Sequence, residues 1–204
     1  MSPPSGGGPP ATRRDRVETL VRDGCAGDAL HIAALYAPFV ERTCVSFESQ
    51  APDAAEIARR IDAARAGHAW LVAECAGRFA GYAYATRWRG RCAYDWTAET
   101  AVYVCEEARG RGVGRALGAA LLERLDGLGY RSAVAGIALP NDPSRALHRQ
   151  LGYRPIGRVE RAGWKFGRWV AVEFWECAVG TGTPGERPAG PSRPNSGGQT
   201  QDSD

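Results

Sequence analysis

Apolar positions along residues of about 17 to 178 follow two periods in turn. "VETLVR" (17–22) alternates apolar with polar, the period of a half-buried strand. "GDALHIAALYAPFVERT" then shifts to helical spacing, with Asp28 as candidate N-cap and Leu30, Ala33, Ala34 and Ala37 as the apolar stripe. "PDAAEIARRIDAARAG" (52–67) predicts a second amphipathic helix, opened by Pro52 and Asp53 and closed by Gly67. "AWLVAECAGRFAGYAYATRW" predicts two strands around an "AGR" turn, a hairpin. "AYDWTAETAVYV" (93–104) predicts the next strand. "GVGRALGAALLERLDGLG" (112–129) is the strongest helix, apolar at Val113, Leu117, Ala120, Leu121 and Leu125 and stopped by Gly129. "RSAVAGIAL" predicts a buried strand. "NDPSRALHRQLGY" predicts a short helix with Asp142 as N-cap and Pro143 at the first helical position. "RPIGRVERAGWKFGRWVAVEFWEC" predicts two closing strands joined near Gly163 to Gly167. The order β-α-α-β-β-β-α-β-α-β-β implies an α/β fold, a mixed sheet of about seven strands flanked by about four helices.

The ends carry no such pattern. Residues 1–15 are rich in Pro, Gly, Ser and Arg, and residues 180–204 have almost no apolar side chains. Both are expected to be disordered, because neither can bury enough surface to offset its ordering entropy. The folded domain is therefore expected over 16–179. The N-terminus lacks the apolar stretch of a secretory signal, and no apolar run approaches the roughly 20 residues of a membrane span. A cytoplasmic protein with no membrane partner is the expectation.

Charge and cysteine content narrow the function. A balance of 26 basic to 23 acidic residues gives a net charge of +3, too weak to argue for a nucleic-acid partner. Lys165 is the one lysine, so arginine is the default cation here and no single arginine marks an anion site. The six cysteines form no CxxC pair and match no zinc spacing, so no metal is expected and reduced thiols are.

Two features point to chemistry. Glu99 lies within a strand-like run, on the face shared by Thr97, Ala101 and Tyr103. Strand interiors tend to exclude Glu, so it is either solvent-facing, paired with an arginine, or placed to move a proton. "RGRGVG", Arg109 to Gly114, joins that strand to the strongest helix. Its glycines let the backbone curl and aim N–H groups at the positive helix end, which suits a pyrophosphate, although a plain tight turn reads the same way. It is neither a P-loop nor a dinucleotide fingerprint.

A strand ending "AVYV", then R-x-x-G-x-G, a long helix, a strand and "N-x-x-S-x-x-L-H-x-x-L-G-Y" resembles the GNAT superfamily of acyl-CoA-dependent N-acetyltransferases over residues of about 17 to 178. "CVSFES", "WLVAE", "AYDWTAET", "LPNDPS", "LHRQLGY" and "AGWKFGRW", in that order, resemble the phosphinothricin N-acetyltransferases within it. The resemblance implies the GNAT fold, acetyl-CoA as acetyl donor and a small anionic amino acid analogue as acceptor. Phosphinothricin, its desmethyl form and methionine sulfoximine or sulfone are the candidates, which makes herbicide resistance an expected role. It also implies a homodimer.

The same resemblance assigns residues. Glu99 is the implied general base. His148 is either a proton relay, a support for the departing thiolate, or a satisfied core histidine. Val102, Tyr103 and Val104 offer strand backbone to the acetyl group, with the oxyanion donor near Val104. Arg109, Gly110, Arg111, Gly112, Val113, Gly114 and Arg115 would hold the pyrophosphate. Asn141, Pro143 and Ser144 would meet the CoA arm, a role that shares Asn141 and Ser144 with capping of the short helix. Phe47, Arg89, Arg91, Tyr94 and Lys165 would bind the acceptor. Arg89 stands where close relatives have Lys, and Phe166 and Arg168 where they have His and Asn, which affects the exact acceptor. Two rival readings keep the fold: acetylation of a protein N-terminus or another small amine, and a non-catalytic acetyl-CoA-binding regulatory module.

Overall fold

The computed structural model describes residues 18–65 and 67–180; the two terminal segments discussed above lie outside them, apart from Gly180. The strands are β1 (Thr19–Asp23), β2 (Trp70–Cys75), β3 (Arg78–Arg87), β4 (Thr97–Val104), β5 (Ser132–Ala138), β6 (Arg154–Lys165) and β7 (Arg168–Ala178). The helices are α1 (Ala29–Arg42), α2 (Ala54–Arg65), α3 (Val113–Gly127) and α4 (Asp142–Gln150). The seven strands form one mixed sheet in the order β1-β2-β3-β4-β5-β7-β6. Every neighbouring pair is antiparallel except β4 and β5.

Helices cover both faces. Leu71, Ala73, Ala83 and Ala85 share a core with Val113, Leu117, Leu121 and Leu125 of α3. Trp70, Val72, Tyr82 and Tyr103 pack on Ile32, Tyr36 and Val40 of α1 and Ile57 and Ile61 of α2. This double cover is why "WLVA" reads as continuous apolar sequence rather than alternation. α4 closes against α3 where glycine removes bulk: a Cβ on Gly118 would collide with the Leu151 side chain.

Turn chemistry follows the sequence closely. Ala76 and Gly77 both have positive φ, 50° and 72°, as a two-residue hairpin turn requires. Phe166 and Gly167 repeat the geometry between β6 and β7, so that junction is tighter than the Gly163–Gly167 span expected, and Gly163 lies inside β6. Asp53 Oδ1 accepts the Glu56 N–H at 2.8 Å and starts α2.

Four expectations are corrected. The buried stripe of α1 is Ala29, Ile32, Tyr36 and Val40, whereas Leu30 is 68% exposed. Larger side chains at i, i+4 and i+8 bury more apolar area than the Leu30/Ala stripe could. Strand β4 starts at Thr97, because Cys92–Tyr94 close a 3₁₀ turn through Tyr94 N–H to Arg91 O and Asp95 N–H to Cys92 O. The cap of α4 is Asn141, whose Oδ1 accepts the Ser144 N–H at 3.2 Å; Asp142 is the first helical residue. Asp28 holds the N-cap position of α1 without capping it by side chain. Its carboxylate instead accepts two bonds from Arg22 (2.7 and 2.8 Å) and one from the Cys25 N–H. Arg22 also reaches Glu74, so one guanidinium ties β1 to β2 and to the start of α1.

Arg22 outweighs the opposing cost of burial and holds Asp28 at about 2, against 3.8. A depressed carboxylate stabilises the fold above its unfolded pKa and loses that contribution as pH falls toward the folded value. Asp28→Asn is expected to cost about 2 kcal/mol at pH 7 in urea unfolding, with the difference from wild type closing as pH drops from about 4 to 2. A difference that stays constant over that window would remove the ion pair as its cause.

Candidate active site

The site begins where a ladder ends. Strands β4 and β5 pair over three positions only, Thr97↔Ser132, Ala98↔Ala133 and Glu99↔Val134. Beyond them β4 stays on β3 while Ala135–Ala138 of β5 stay on β7, so the two strands splay. Thr100 marks the fork: its hydroxyl donates to Val134 O at 3.2 Å and accepts from the Tyr153 hydroxyl at 2.9 Å. Trp96 O accepts from Arg131 and Ser132 on the β5 side, and Cys105 N–H donates to Ala80 O on the β3 side. Alternation along β4 therefore turns the Val102 and Val104 amides into the fork, away from any strand partner.

Two cavities open on opposite sides of the fork. One, of about 1010 Å³, lies beneath α1 and α2. The other, of about 710 Å³, lies against the start of α3 and α4. Val45, Thr100, Ala101, Tyr103, Gly136 and Ala138 line both, so the fork is the passage between them.

Glu99, the last β4 residue paired with β5, lines the larger cavity. It is half-buried beside Tyr84 and Thr86 of β3, and burial pushes its carboxyl above the usual range while the Arg89 charge pulls the other way.

The smaller cavity gathers almost all the residues expected to hold the donor. Val102, Tyr103, Val104, Arg109, Gly110, Gly112, Val113, Gly114, Arg115, Asn141, Pro143, Ser144 and His148 line it, while Arg111 points to solvent outside it. Gly110 and Gly112 have φ of 72° and 89°, which a side chain would strain. Gly112 is the N-cap of α3 and brings no side-chain oxygen, so the first α3 amides carry no partner within the helix or from a side-chain cap. Uncapped amides at a positive helix end, flanked by Arg109 and Arg115, fit a pyrophosphate. His148 is buried on α4, edge-on to Tyr153 at 5.0 Å. Its Nδ1 lies 2.8 Å from Ser144 O, which only accepts, so Nδ1 carries the proton and Nε2 is the free lone pair. Burial holds this imidazole below its ordinary pKa, so it is neutral at pH 7.

The acceptor residues expected from sequence separate into groups. Phe47 lines the larger cavity, its ring packed over Gly163 of β6, where a Cβ would collide with it. Arg89, Arg91 and Tyr94 lie exposed in the segment before β4, outside the cavity wall; Arg89 stacks 5.1 Å over Trp88. Lys165 Nζ is engaged by Val40 O at 2.6 Å and Ser46 O at 2.7 Å, so it latches the Cys44–Gln50 loop and the end of α1 to β6. The cavity's own cations are Arg59 and Arg60 of α2 and Arg87 of β3. Arg60 forms a bidentate pair with Glu48, and Glu48 also accepts from the Tyr36 hydroxyl. Sequence reasoning missed Tyr36, Tyr84, Thr100, Gly136 and Tyr153, which meet at the fork or on the cavity wall from separate elements. Of these, Gly136 alone left a local signal, a glycine inside a buried strand run. Among the described residues no cluster of His, Cys, Asp or Glu could hold a metal ion.

The chain matches the model of the acetyltransferase (GNAT) domain over residues 25–172. It is 38% identical to the phosphinothricin N-acetyltransferase of Streptomyces viridochromogenes across 79% of this chain and 88% of that protein. It is 37% identical to the L-methionine sulfoximine/L-methionine sulfone acetyltransferase of Pseudomonas paraeruginosa across 76% of this chain and 92% of that one. Its fold is similar to the crystal structure of a GNAT superfamily phosphinothricin acetyltransferase from Sinorhizobium meliloti in complex with AcCoA, with a TM-score of 0.79, 35% identity and coverage of 84% and 93%.

The latch predicts a measurable cost. Lys165→Met keeps the stem and removes the ammonium, leaving two carbonyls without their donor. A loss of about 2–3 kcal/mol in denaturant unfolding is expected, with faster protease cleavage within 43–50. Unchanged stability and unchanged cleavage would show that the latch carries no load.

Proposed function

The chain belongs to the GNAT acetyltransferase family, and on that premise we propose that it acetylates the α-amine of a small anionic amino acid analogue with acetyl-CoA as donor. Phosphinothricin leads the candidate acceptors, with its desmethyl form and methionine sulfoximine or sulfone next; the named activities of the relatives support this choice. The observation that carries the reading is Glu99, a carboxylate of raised pKa at the passage between an anion-binding cavity and an aromatic-walled one.

In this reading each group has a task. An ammonium cannot attack a thioester, so Glu99 takes the proton, directly or through one water. The freed nitrogen forms the bond to the acetyl carbon and the carbon–sulfur bond breaks; the nitrogen then gives up its second proton, and the departing thiolate gains one, leaving the amide, the CoA thiol and one proton held by Glu99. The charge that develops on the acetyl oxygen meets the Val102 or Val104 amide, the donors without a strand partner. His148, neutral with Nε2 free, suits a proton relay better than a cation beside the thiolate. Arg109, Gly110, Gly112–Arg115, Asn141 and Ser144 bind the CoA arm. Arg89, Arg91 and Tyr94 serve the acceptor by their field or by closing over the cavity, with Phe47 as its wall. Acetyl-CoA chemistry and six unpaired thiols support a cytoplasmic location, and acceptors of this class support a role in resistance to such analogues.

Homodimer formation belongs to the same proposal. β6 is an exposed edge strand, and Ile156, Val159, Trp164, Phe166 and Trp169 leave apolar side chains on the β6–β7 hairpin open to water. A second copy is the occupant that would cover them.

Thiol release from acetyl-CoA with a panel of amines tests the reading. Release with phosphinothricin or methionine sulfoximine is expected; release with peptides alone would overturn it. Glu99→Gln is expected to lower kcat by about 10²-fold or more with acetyl-CoA affinity unchanged, because a general base contributes 10²–10⁴-fold. The working form of Glu99 is the carboxylate, so kcat/KM falls as pH drops through its raised pKa. Arg89→Met removes the charge that favours the carboxylate, so that acid limb should move to higher pH. An acid limb that stays in place would detach Arg89 from the base.

A further inference from the structure

Gly136 is the one exposed residue inside β5, flanked by buried Ala133, Val134, Ala135, Ile137 and Ala138. Glycine weakens a strand interior, so its presence needs a reason. Backbone conformation is not the reason, since Gly136 is absent from the residues of positive φ. Close packing is not the reason either. A Cβ built there would meet Phe174 Cε1 and Val172 Cγ1 at 3.6 Å, ordinary van der Waals distances. The next nearest atom is Glu99 Oε1 at 3.9 Å. A methyl group would therefore fit the fold, and it would fill open space that borders the Glu99 carboxylate as well as Phe174 and Val172.

That space lies in the fork. Gly136 lines both cavities, and its register partner Phe174 belongs to the far side, on β7. We infer that Gly136 is a specificity-determining position: its missing side chain holds open the volume beside Glu99 that the substituents on the amine-bearing carbon of an α-branched acceptor occupy. The amine must lie within hydrogen-bond reach of the Glu99 carboxylate, so its carbon falls about one bond further out, at the distance where a Cβ on residue 136 would stand. Amino acids branch at that carbon with a carboxylate and a side chain. The strand thus gives up a side chain in favour of the acceptor's.

This inference rests on the acetyl-transfer reading, and the test separates the two. Wild type, Gly136→Ala and Gly136→Val would be compared with phosphinothricin and methionine sulfoximine for kcat/KM, by calorimetry for acetyl-CoA Kd, and by thermal unfolding. Expected is a fall in acceptor kcat/KM of tenfold or more for Gly136→Ala, a larger fall for Gly136→Val, and acetyl-CoA Kd within twofold of wild type. Gly136→Ala should keep or raise the melting temperature. Unchanged acceptor kinetics would overturn the inference, as would an equal loss of acetyl-CoA affinity, which would assign the space to the donor. A Gly136→Ala chain that fails to fold would also overturn it, by making packing the reason for the glycine. Wild type without activity on any amine would instead remove the functional reading and this inference with it.

Discussion

The hydrogen bond from the Thr100 hydroxyl to Val134 O holds the point on which the rest of the site depends. Up to Glu99 the parallel ladder supplies every backbone partner; past it the strands separate, and two β4 amides lose theirs. Buried backbone donors are costly when unpaired, so a fork in a sheet persists only if something holds it. Here a side chain bridges the last rung, and the Tyr153 hydroxyl locks that side chain from the loop after α4. The exposed backbone of Val102 and Val104 is then available to a substrate rather than to a strand. Glu99, the passage and the unpartnered amides all lie within five residues of one another on β4.

Desolvation sets the two titratable groups of the site in opposite directions. Glu99 is pushed up and His148 is pushed down, since burial penalises whichever form is charged. The shift brings the carboxyl closer to the pH at which an amine must be deprotonated, and it keeps the imidazole neutral. Neither effect needs a strong charge partner. Of the ion pairs near the larger cavity, Arg60 with Glu48 ties α2 to the loop over 44–50, and Arg60 with Glu56 lies within α2.

That loop explains why residues far apart in sequence act on one wall. Tyr36 of α1 binds Ser46 and Glu48, Arg60 of α2 binds Glu48, and Lys165 of β6 binds Ser46 O. Phe47, in the middle, is held over Gly163. The β6–β7 hairpin therefore shapes the larger cavity with its inner contacts and presents its aromatic outer face to solvent. Any partner that covers this edge would act on Phe47 through Gly163 and Lys165.

Local pattern made most of the fold legible. Strand and helix periods, the Ala76–Gly77 turn, the Gly110–Gly114 curl and Asp53 at the start of α2 are short-range facts, written within a few residues of where they act. Motif order along the chain pointed to Glu99 and to much of the smaller cavity, because many of its lining residues come from two continuous segments, 108–115 and 141–150. The start of β4 and the cap of α4 turn on bonds between residues three apart, and the other departures lie where long-range contacts compete with local preference. Asp28 was drawn from capping to Arg22, the α1 stripe followed the bulkier Ile32, Tyr36 and Val40, and Lys165 was spent on carbonyls of α1 and the following loop, over a hundred residues away. Chain pattern alone determined most of the elements and their order, and it marked Glu99 as an acid out of place in a strand. Only tertiary structure decided where β4 and β5 part, which cations reach the cavity and why residue 136 has no side chain, because each is a matter of distance between elements that the sequence keeps apart.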